Sequence, residues 1–422
     1  MRKILALISL ALLSFELLAV SFIGKDTIKV REDLFYSEQE LEEFRFEDKR
    51  APQSKEDFYS ECDIYLLTGG PGSILWENFG HSSYIVKYPN GEAVAYDYGI
   101  FTFDESFFKN FALGRLYYEA WRSWADYRVN ALIEEDRDVS LLPLDLSTDG
   151  KYALISFLDY NTRPENSVYL YDYYLDNCAT RLRDSFDATT GGEFRRWAES
   201  KVYEETLRDL SERYLSRSSF PVAFAVTFLL GPSVDEGITL WDAMFLPDIL
   251  EEGIALFQGN ESISYHKSET REQTPASYGF MTRTIAMALI FAAIILLSRS
   301  KNRAVSICAN IFSALIFLAL SLMELALAFL MTSSIHSVTY FNLNILLFAG
   351  APLLLCLHAK AIFNRDSSNS KLKRASRIML FLTLAFILVK ALLSNFLIQD
   401  MLPYSIFMVI LYIAECFEIK GK

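Results

Sequence analysis

The stretch LDNCATRLRDSF, residues 175–186, puts Cys178 directly behind an Asp-Asn pair, where the first turn of an amphipathic helix is expected. Asp176 or Asn177 can cap that helix, because either side chain accepts the free N–H groups of a first turn. A thiol there feels the positive end of the helix dipole and the unpaired amides, and both favour thiolate. The same amides can face an oxyanion once sulfur has attacked a carbonyl. A buried cysteine opening an ordinary helix leaves the same trace, so a partner must separate the two readings. The chain has only four histidines, His81, His266, His336 and His358. His81 follows Gly80 at an expected strand start, a rigid seat for a base that takes the Cys178 proton and returns it to a leaving group. Asp97, on the strand expected to pair locally with that of His81, is the first choice to orient the imidazole. Glu77, Asn78 or a backbone carbonyl are the alternatives. Histidines and a cysteine this scattered make a poor metal site, and neither a metal nor another cofactor is expected.

These residues need a scaffold. CDIYLLTG (62–69) reads as a strand ended by a Gly-Gly-Pro-Gly turn. HSSYIVKY (81–88) and AVAYDYG (93–99) read as a hairpin closed by PNGE. Residues 101–121, FTFDESFFKNFALGRLYYEAW, are expected as helix and loop rich in aromatic rings, followed by a strand region near 125–143. A helix is expected over 148–160, and the next begins at Cys178. There Cys178, Arg181, Leu182, Ser185 and Phe186 share a face by 3–4 spacing. Arg181 is thereby the best candidate among the nearby arginines to contact a phosphate. A further helix is expected in SEQELEEFRFEDK, within the charged stretch 24–60. Five cysteines in 422 residues make no disulfide framework. Cys62 and Cys178 are the two outside the apolar C-terminal segments, so one bridge between them stays open.

Hydropathy divides the chain into three parts. Residues 1–23 have a basic start and an apolar run, the pattern of a secretion signal or an N-terminal anchor. Residues 24–280 are polar, and 281–422 hold five apolar windows read as transmembrane helices. Arg299, Lys301 and Arg303 lie in the first connection and Lys371, Lys373 and Arg374 near the third, whereas the second and fourth carry no Lys or Arg. The positive-inside bias puts the basic connections in the cytoplasm and the polar domain outside, as the leader requires. The net charge of −13 gathers in the polar part. An acidic exterior excludes nucleic acid as a partner and leaves adhesion to lipid to the anchor. Within the spans, Glu324 and Lys390 are costly alone and are expected to meet.

Several separated motifs, LLTGGPGSILWENFGHSSYIV, VAYDYGIFTF, RPENSVYLYDYYLDNCATRLRD, TLWDAMFLP and HSVTYFNLNILLF, together resemble the bacterial membrane family represented by Lnb. That family transfers an acyl chain from phospholipid to the α-amine of a diacylglyceryl-cysteine lipoprotein. The resemblance implies an α+β, permuted NlpC/P60-like (papain-like) thiol-enzyme domain fused to an α-helical transmembrane bundle of about five helices. It implies the bacterial inner membrane, with the catalytic domain in the periplasm. Carried over residue by residue, it assigns the family histidine to His81 and the nucleophile to Cys178. Its Asn-x-Asn pair falls on Asn342 and Asn344, and its preceding histidine on His336. Ser337 stands where a proline is expected, and of the turn near Gly70 only Ser73 remains as a nucleophile-type residue. With Asn177 and Arg181, the residues His336, Asn342 and Asn344 are the expected substrate contacts, although the two asparagines could equally satisfy a helix break. The implied partners are a phospholipid acyl donor, a diacylated lipoprotein acceptor and membrane lipid. A thiol peptidase, amidase or phospholipase would use the same early steps, and a non-enzymatic envelope scaffold would leave Cys178 structural.

Overall fold

The computed structural model describes residues 55–270 and 279–417, so the expected leader and the helix of 37–49 lie outside the described residues. The polar part is built on one sheet of seven strands: β1 (Asp63–Gly69), β2 (His81–Lys87), β3 (Ala93–Ile100), β4 (Tyr117–Trp124), β5 (Val139–Pro143), β6 (Val168–Leu170) and β7 (Ile263–His266). Their order is β6-β4-β3-β2-β1-β5-β7. Every pairing is antiparallel, and the sheet is not closed. The expected hairpin is present, with Ser83 opposite Asp97, and Gly91 at φ 91° closing its turn.

Side chains alternate across the sheet, which gives it two apolar faces. On one, Ile64, Leu66, Tyr84, Val86, Tyr96 and Tyr98 form the main core with the helices. On the other, Leu67, Ile85, Ala95 and Val139 pack with Ala125 and Leu132. The helices used below are α1 (Phe107–Leu113), α2 (Ala125–Glu134), α3 (Thr148–Asn161), α4 (Cys178–Thr189), α5 (Leu207–Leu215), α6 (Phe220–Phe228) and α7 (Pro247–Gln258). Helix α3 fits its expectation closely. The 101–121 stretch holds α1 but also most of β4, and 125–143 opens with α2 before β5. The 3–4 spacing of Ala125, Val129 and Leu132 turns one apolar face to the sheet, and that burial decides for helix.

An α+β domain on an apolar bundle is present, but the NlpC/P60-like (papain-like) architecture is not. The chain has an open antiparallel sheet in the order given above. The motif residues specify a cysteine at a helix start and a histidine at a strand start. Strand order depends on long-range pairings that such local signals leave unstated.

The apolar part comprises α8 (Phe280–Leu297), α9 (Arg303–Ser333), α10 (Asn344–Phe348), α11 (Ala351–Phe363), α12 (Arg365–Leu392) and α13 (Leu402–Cys416). Among the described residues four stretches are long and apolar enough to cross a membrane, with α10 and α11 counted as one; α13 is apolar but shorter, at 15 residues. Phe317, Phe348, Tyr404, Phe407 and Met408 fill the bundle core. Helix α6, from the polar half of the sequence, enters that core: Phe224 packs on Tyr404 and Phe228 on Phe348, at ring separations of 5.1 and 4.5 Å. Glu324 and Lys390 form no ion pair among the described residues, and Glu324 Oε2 is buried without a hydrogen-bond partner.

One end of the sheet faces the bundle. The C-termini of β1 and β3 and the N-termini of β2, β4 and β5 converge there, with α1 between β3 and β4. Ile335 N donates to Leu113 O at 3.0 Å, and Gly231 N to Val338 O at 2.7 Å. Ends that carry the loops of a rigid sheet are where a site is most readily built.

Candidate active site

Asn177 opens α4 in extended conformation, and a capping box fixes the start: Thr180 N donates to Asn177 Oδ1, and Asn177 N to Thr180 Oγ1. The Asn177 amide also donates to Tyr173 O and to Phe245 O, both at 2.9 Å. Its hydrogen bonds are thus committed to holding the helix start against the chain before α7. The next residue, Cys178, becomes the first of the helix. It is half-buried, and no disulfide joins it to the buried Cys62. On the neighbouring strand Gly99 adopts φ +85°; a Cβ there would lie 3.8 Å from that of Cys178. The pairing of β3 with β4 is irregular between Asp97 and Ile100, which bends the strand end around the thiol.

His81 and Asp97 come together through strand register. Ser83 pairs with Asp97, and His81 lies two residues before Ser83, on the same side of the sheet. His81 Nε2 is 2.8 Å from Asp97 Oδ1, and the imidazole and the Cys178 thiol lie close enough to shift each other's protonation. With Nε2 engaged by the carboxylate, Nδ1 is the nitrogen left for sulfur. Gly80, at φ +79°, sits where a Cβ would come within 2.9 Å of Gly69 O, which lets β2 begin tight against β1.

Asp97 is fully buried, and its Oδ1 also accepts from Ser83 Oγ and lies 2.9 Å from Arg128 Nε. Burial alone would raise its pKa; Arg128, His81 and Ser83 outweigh it and hold the carboxyl at about 2. Burial and Arg128 press the His81 pKa down, but Cys178 and Asp97 lift it above the ordinary value. For Cys178 burial again opposes charge. The imidazole beside it and the backbone amides of Ser82 and Ala179 overcome burial, and the thiol falls below its usual value. The two shifts are one effect, since thiolate and imidazolium stabilise each other.

Arg128 was not among the residues the sequence reading selected. It lies on the sheet-facing side of α2, where an arginine between Ala125 and Leu132 is the available signal, and a strand reading of that segment hides it.

The other expected contacts are placed as follows. Arg181 is held by Asp176, Nε–Oδ1 2.5 Å, with its guanidinium over the Tyr169 ring at 3.6 Å. His336 Nε2 meets Phe111 O at 2.7 Å, tying the connection after α9 to α1. Asn342 and Asn344 both donate to Phe228 O, at 2.9 and 3.0 Å, and Gln399 donates to Asn342 Oδ1 at 2.8 Å. Both asparagines are fully buried at the junction of α6, the connection before α10 and the α12–α13 loop. The structure brings Cys178, His81 and Asp97 into one chain of contacts, while His336, Asn342 and Asn344 join the two halves of the molecule.

Around the site, Trp76, Phe101, Phe103, Phe107 and Phe111 stack ring on ring, with centroids from 4.4 to 6.1 Å apart. Trp76, Phe103, Phe108 and Phe111 are more than half exposed. Among the described residues no cluster could hold a metal ion.

A thiol enzyme mounted on an apolar helix bundle is the class that these features define. Residues 54–213 match the family model described as the Lnb N-terminal periplasmic domain. The protein is an inner-membrane, multi-pass enzyme of the lipoprotein N-acyltransferase type, with its N-terminal domain in the periplasm. Its substrates are of the lipid and lipoprotein kind. The match also overturns the NlpC/P60-like expectation, because the matched domain is the open antiparallel sheet. Comparison with curated proteins gave no match, and neither did comparison with solved structures.

Proposed function

We propose that the protein transfers an acyl chain in two steps, from a phospholipid to Cys178 and from there to the α-amine of a diacylated lipoprotein. The observation that carries this reading is His81 bridging Cys178 and Asp97 at the bundle-facing end of the sheet. In the first step the Cys178 thiolate attacks the ester carbonyl carbon, and the carbonyl electrons move to oxygen. The amides at the start of α4 are the available donors to that oxyanion. Collapse expels the lyso-lipid alkoxide, which takes the proton held on His81, and a thioester remains on Cys178. In the second step the neutral α-amine attacks the thioester carbon and His81 accepts its proton. The amide forms, and sulfur leaves as the thiolate of the resting pair. An α-amine has a reference pKa of about 8, so its neutral form is accessible.

Asp97 keeps the imidazole oriented and supports its charge, and Arg128 and Ser83 keep Asp97 ionised. Asn177 acts by fixing where the helix begins. A phosphate at Arg181 would compete with Asp176, which assigns Arg181 to the wall of the site more than to the headgroup. The exposed aromatic rings beside the site, continuous with the bundle through Phe111 and His336, suit acyl chains and exclude water that would hydrolyse the thioester.

The test is incubation of the full-length protein with acyl-labelled phospholipid and a diacylated lipopeptide, followed by mass spectrometry. An acyl adduct on Cys178, then an amide-linked third chain on the peptide, is expected, with both absent in Cys178→Ala. Peptide cleavage without a lipid adduct would overturn the reading in favour of a peptidase.

A further inference from the structure

Beside the strand end that carries His81 lies a cavity of about 90 Å³, which the chemistry described above does not use. Gly69, Gly70 and Gly80 form its floor, and Pro247, Asp248 and Glu251 of α7 close it from above. Gly80 immediately precedes His81 and Gly69 pairs with it, so cavity and base share one edge of the sheet. That edge faces the bundle. Asp138, Asp248 and Glu251 give the lining three carboxyl groups, Asp138 and Glu251 being buried. Asp138 Oδ1 accepts from Ser268 N at 2.9 Å, and Glu251 Oε2 from Ser140 Oγ at 2.7 Å. The second oxygen of each is not bonded by another described residue. Tyr214 O–H donates to Asp248. Arg137, whose Nε–H donates to Gly70 O, has its own charge matched by Glu135.

Thr68 is the telling residue. Its side chain is 5 % exposed and lines the cavity, yet Thr68 Oγ1 has no hydrogen-bond partner. Strand alternation turns it, like Leu66, toward α7. A buried hydroxyl left unbonded beside carboxylates calls for a donor to fill the space. The carboxylates are too spread to gather on one metal ion. A primary ammonium has three N–H donors that reach separate acceptors, and an ammonium with its methylene fits the volume.

We propose that this cavity binds the primary ammonium of a substrate, with Thr68, Glu251 and Asp138 as its acceptors. The assignment rests on the acyl-transfer reading for its two sources: an ethanolamine-type phospholipid headgroup, or the acceptor's α-ammonium before it loses its proton. Burial pushes the Asp248 carboxyl up, in keeping with a lining that gains from a cation.

The experiment uses full-length protein in the Cys178→Ala background, so binding is read without turnover. Native mass spectrometry compares lysophosphatidylethanolamine with lysophosphatidylglycerol, and the free-amine diacylated lipopeptide with its N-acetylated form. Preference for an amine-bearing probe is expected at about tenfold, the effect of one charge-assisted hydrogen bond. Glu251→Gln should erase it and Thr68→Val should reduce it, with an unchanged thermal midpoint. Loss confined to the lysolipid pair assigns the headgroup, and loss confined to the peptide pair assigns the acceptor. The proposal is overturned if neither amine is preferred, or if the preference survives both substitutions. Should Glu251→Gln unfold the protein, Thr68→Val, which removes only a hydroxyl, decides alone. Failure of the wild type to form a Cys178 thioester would sink acyl transfer while leaving this binding result standing.

Discussion

The periplasmic site and the interior of the bundle contain nearly the same polar grouping. His81 meets Asp97 at 2.8 Å, and Asp97 meets Arg128 at 2.9 Å. In the bundle, His358 meets Glu415 at 2.6 Å, and Glu415 meets Arg299 at 2.9 Å. Both carboxylates are fully buried. They differ at the second imidazole nitrogen: His81 reaches a thiol, whereas His358 Nδ1 lies 3.0 Å from Asn310 Oδ1. They differ also in access, since the His81 side chain is 14 % exposed at a sheet end and that of His358 is sealed against Phe317. A histidine, a carboxylate and an arginine in contact are therefore not by themselves a catalytic signature. In the proposed mechanism a nucleophile and an opening make the difference.

The sharpest test of that contrast removes the nucleophile. Cys178→Ala should lower lipid adduct formation by roughly a thousandfold or more, read by mass spectrometry. His81→Gln should cost about a hundredfold or more in the rate of adduct formation. His358→Gln should leave the rate per folded molecule within about twofold but lower the thermal midpoint, since breaking a buried pair costs about 3–5 kcal/mol. Equal loss of rate in both variants would break the comparison.

A pH series sharpens it further. Asp97→Asn removes the charge that supports imidazolium, so the Cys178 thiol should titrate at higher pH. Iodoacetamide alkylation of Cys178, profiled against pH, should move upward relative to wild type, and an unmoved profile would remove Asp97 from the site. The same carboxyl governs acid stability. Its pKa in the folded chain, about 2, lies below the ordinary 3.8, so its contribution is full above the ordinary value. It is lost as pH falls toward the folded value, an effect of about 2 kcal/mol. Thermal midpoints in detergent should drop between those two pH values in wild type and less steeply in Asp97→Asn. The smallest effect is expected for Phe108→Ser, whose ring is 76 % exposed: a few-fold rise in KM for the lipid donor, without change in the alkylation profile.

That Cys178, His81 and Asp97 lie together was legible because the signals are local. An Asn before a Cys marks a helix start, and two-residue alternation carries His81 and Asp97 to one side of a hairpin. The apolar windows were equally plain, for a bilayer demands length and composition that any reading can find. Arg128 was not legible, because its role depends on α2 packing across the sheet from a site that no neighbour in sequence announces. Asn342 and Asn344 were ambiguous for a related reason. An asparagine that caps broken backbone and one that grips a substrate look alike until the carbonyl of Phe228, more than a hundred residues away, is placed beside both. The strand order failed in the same manner, being a property of distant pairings.

Helix α6 has a consequence for how substrates must arrive. With Phe224 and Phe228 embedded among the rings of the bundle, the catalytic head is bolted to its base and does not swing on a leash. On the proposed reading a head anchored in this way keeps one height over the leaflet, and the enzyme works as a fixed station. Mobility has to come from the cargo: lipids diffuse in the plane, and each client brings its modified end by the slack of its own chain.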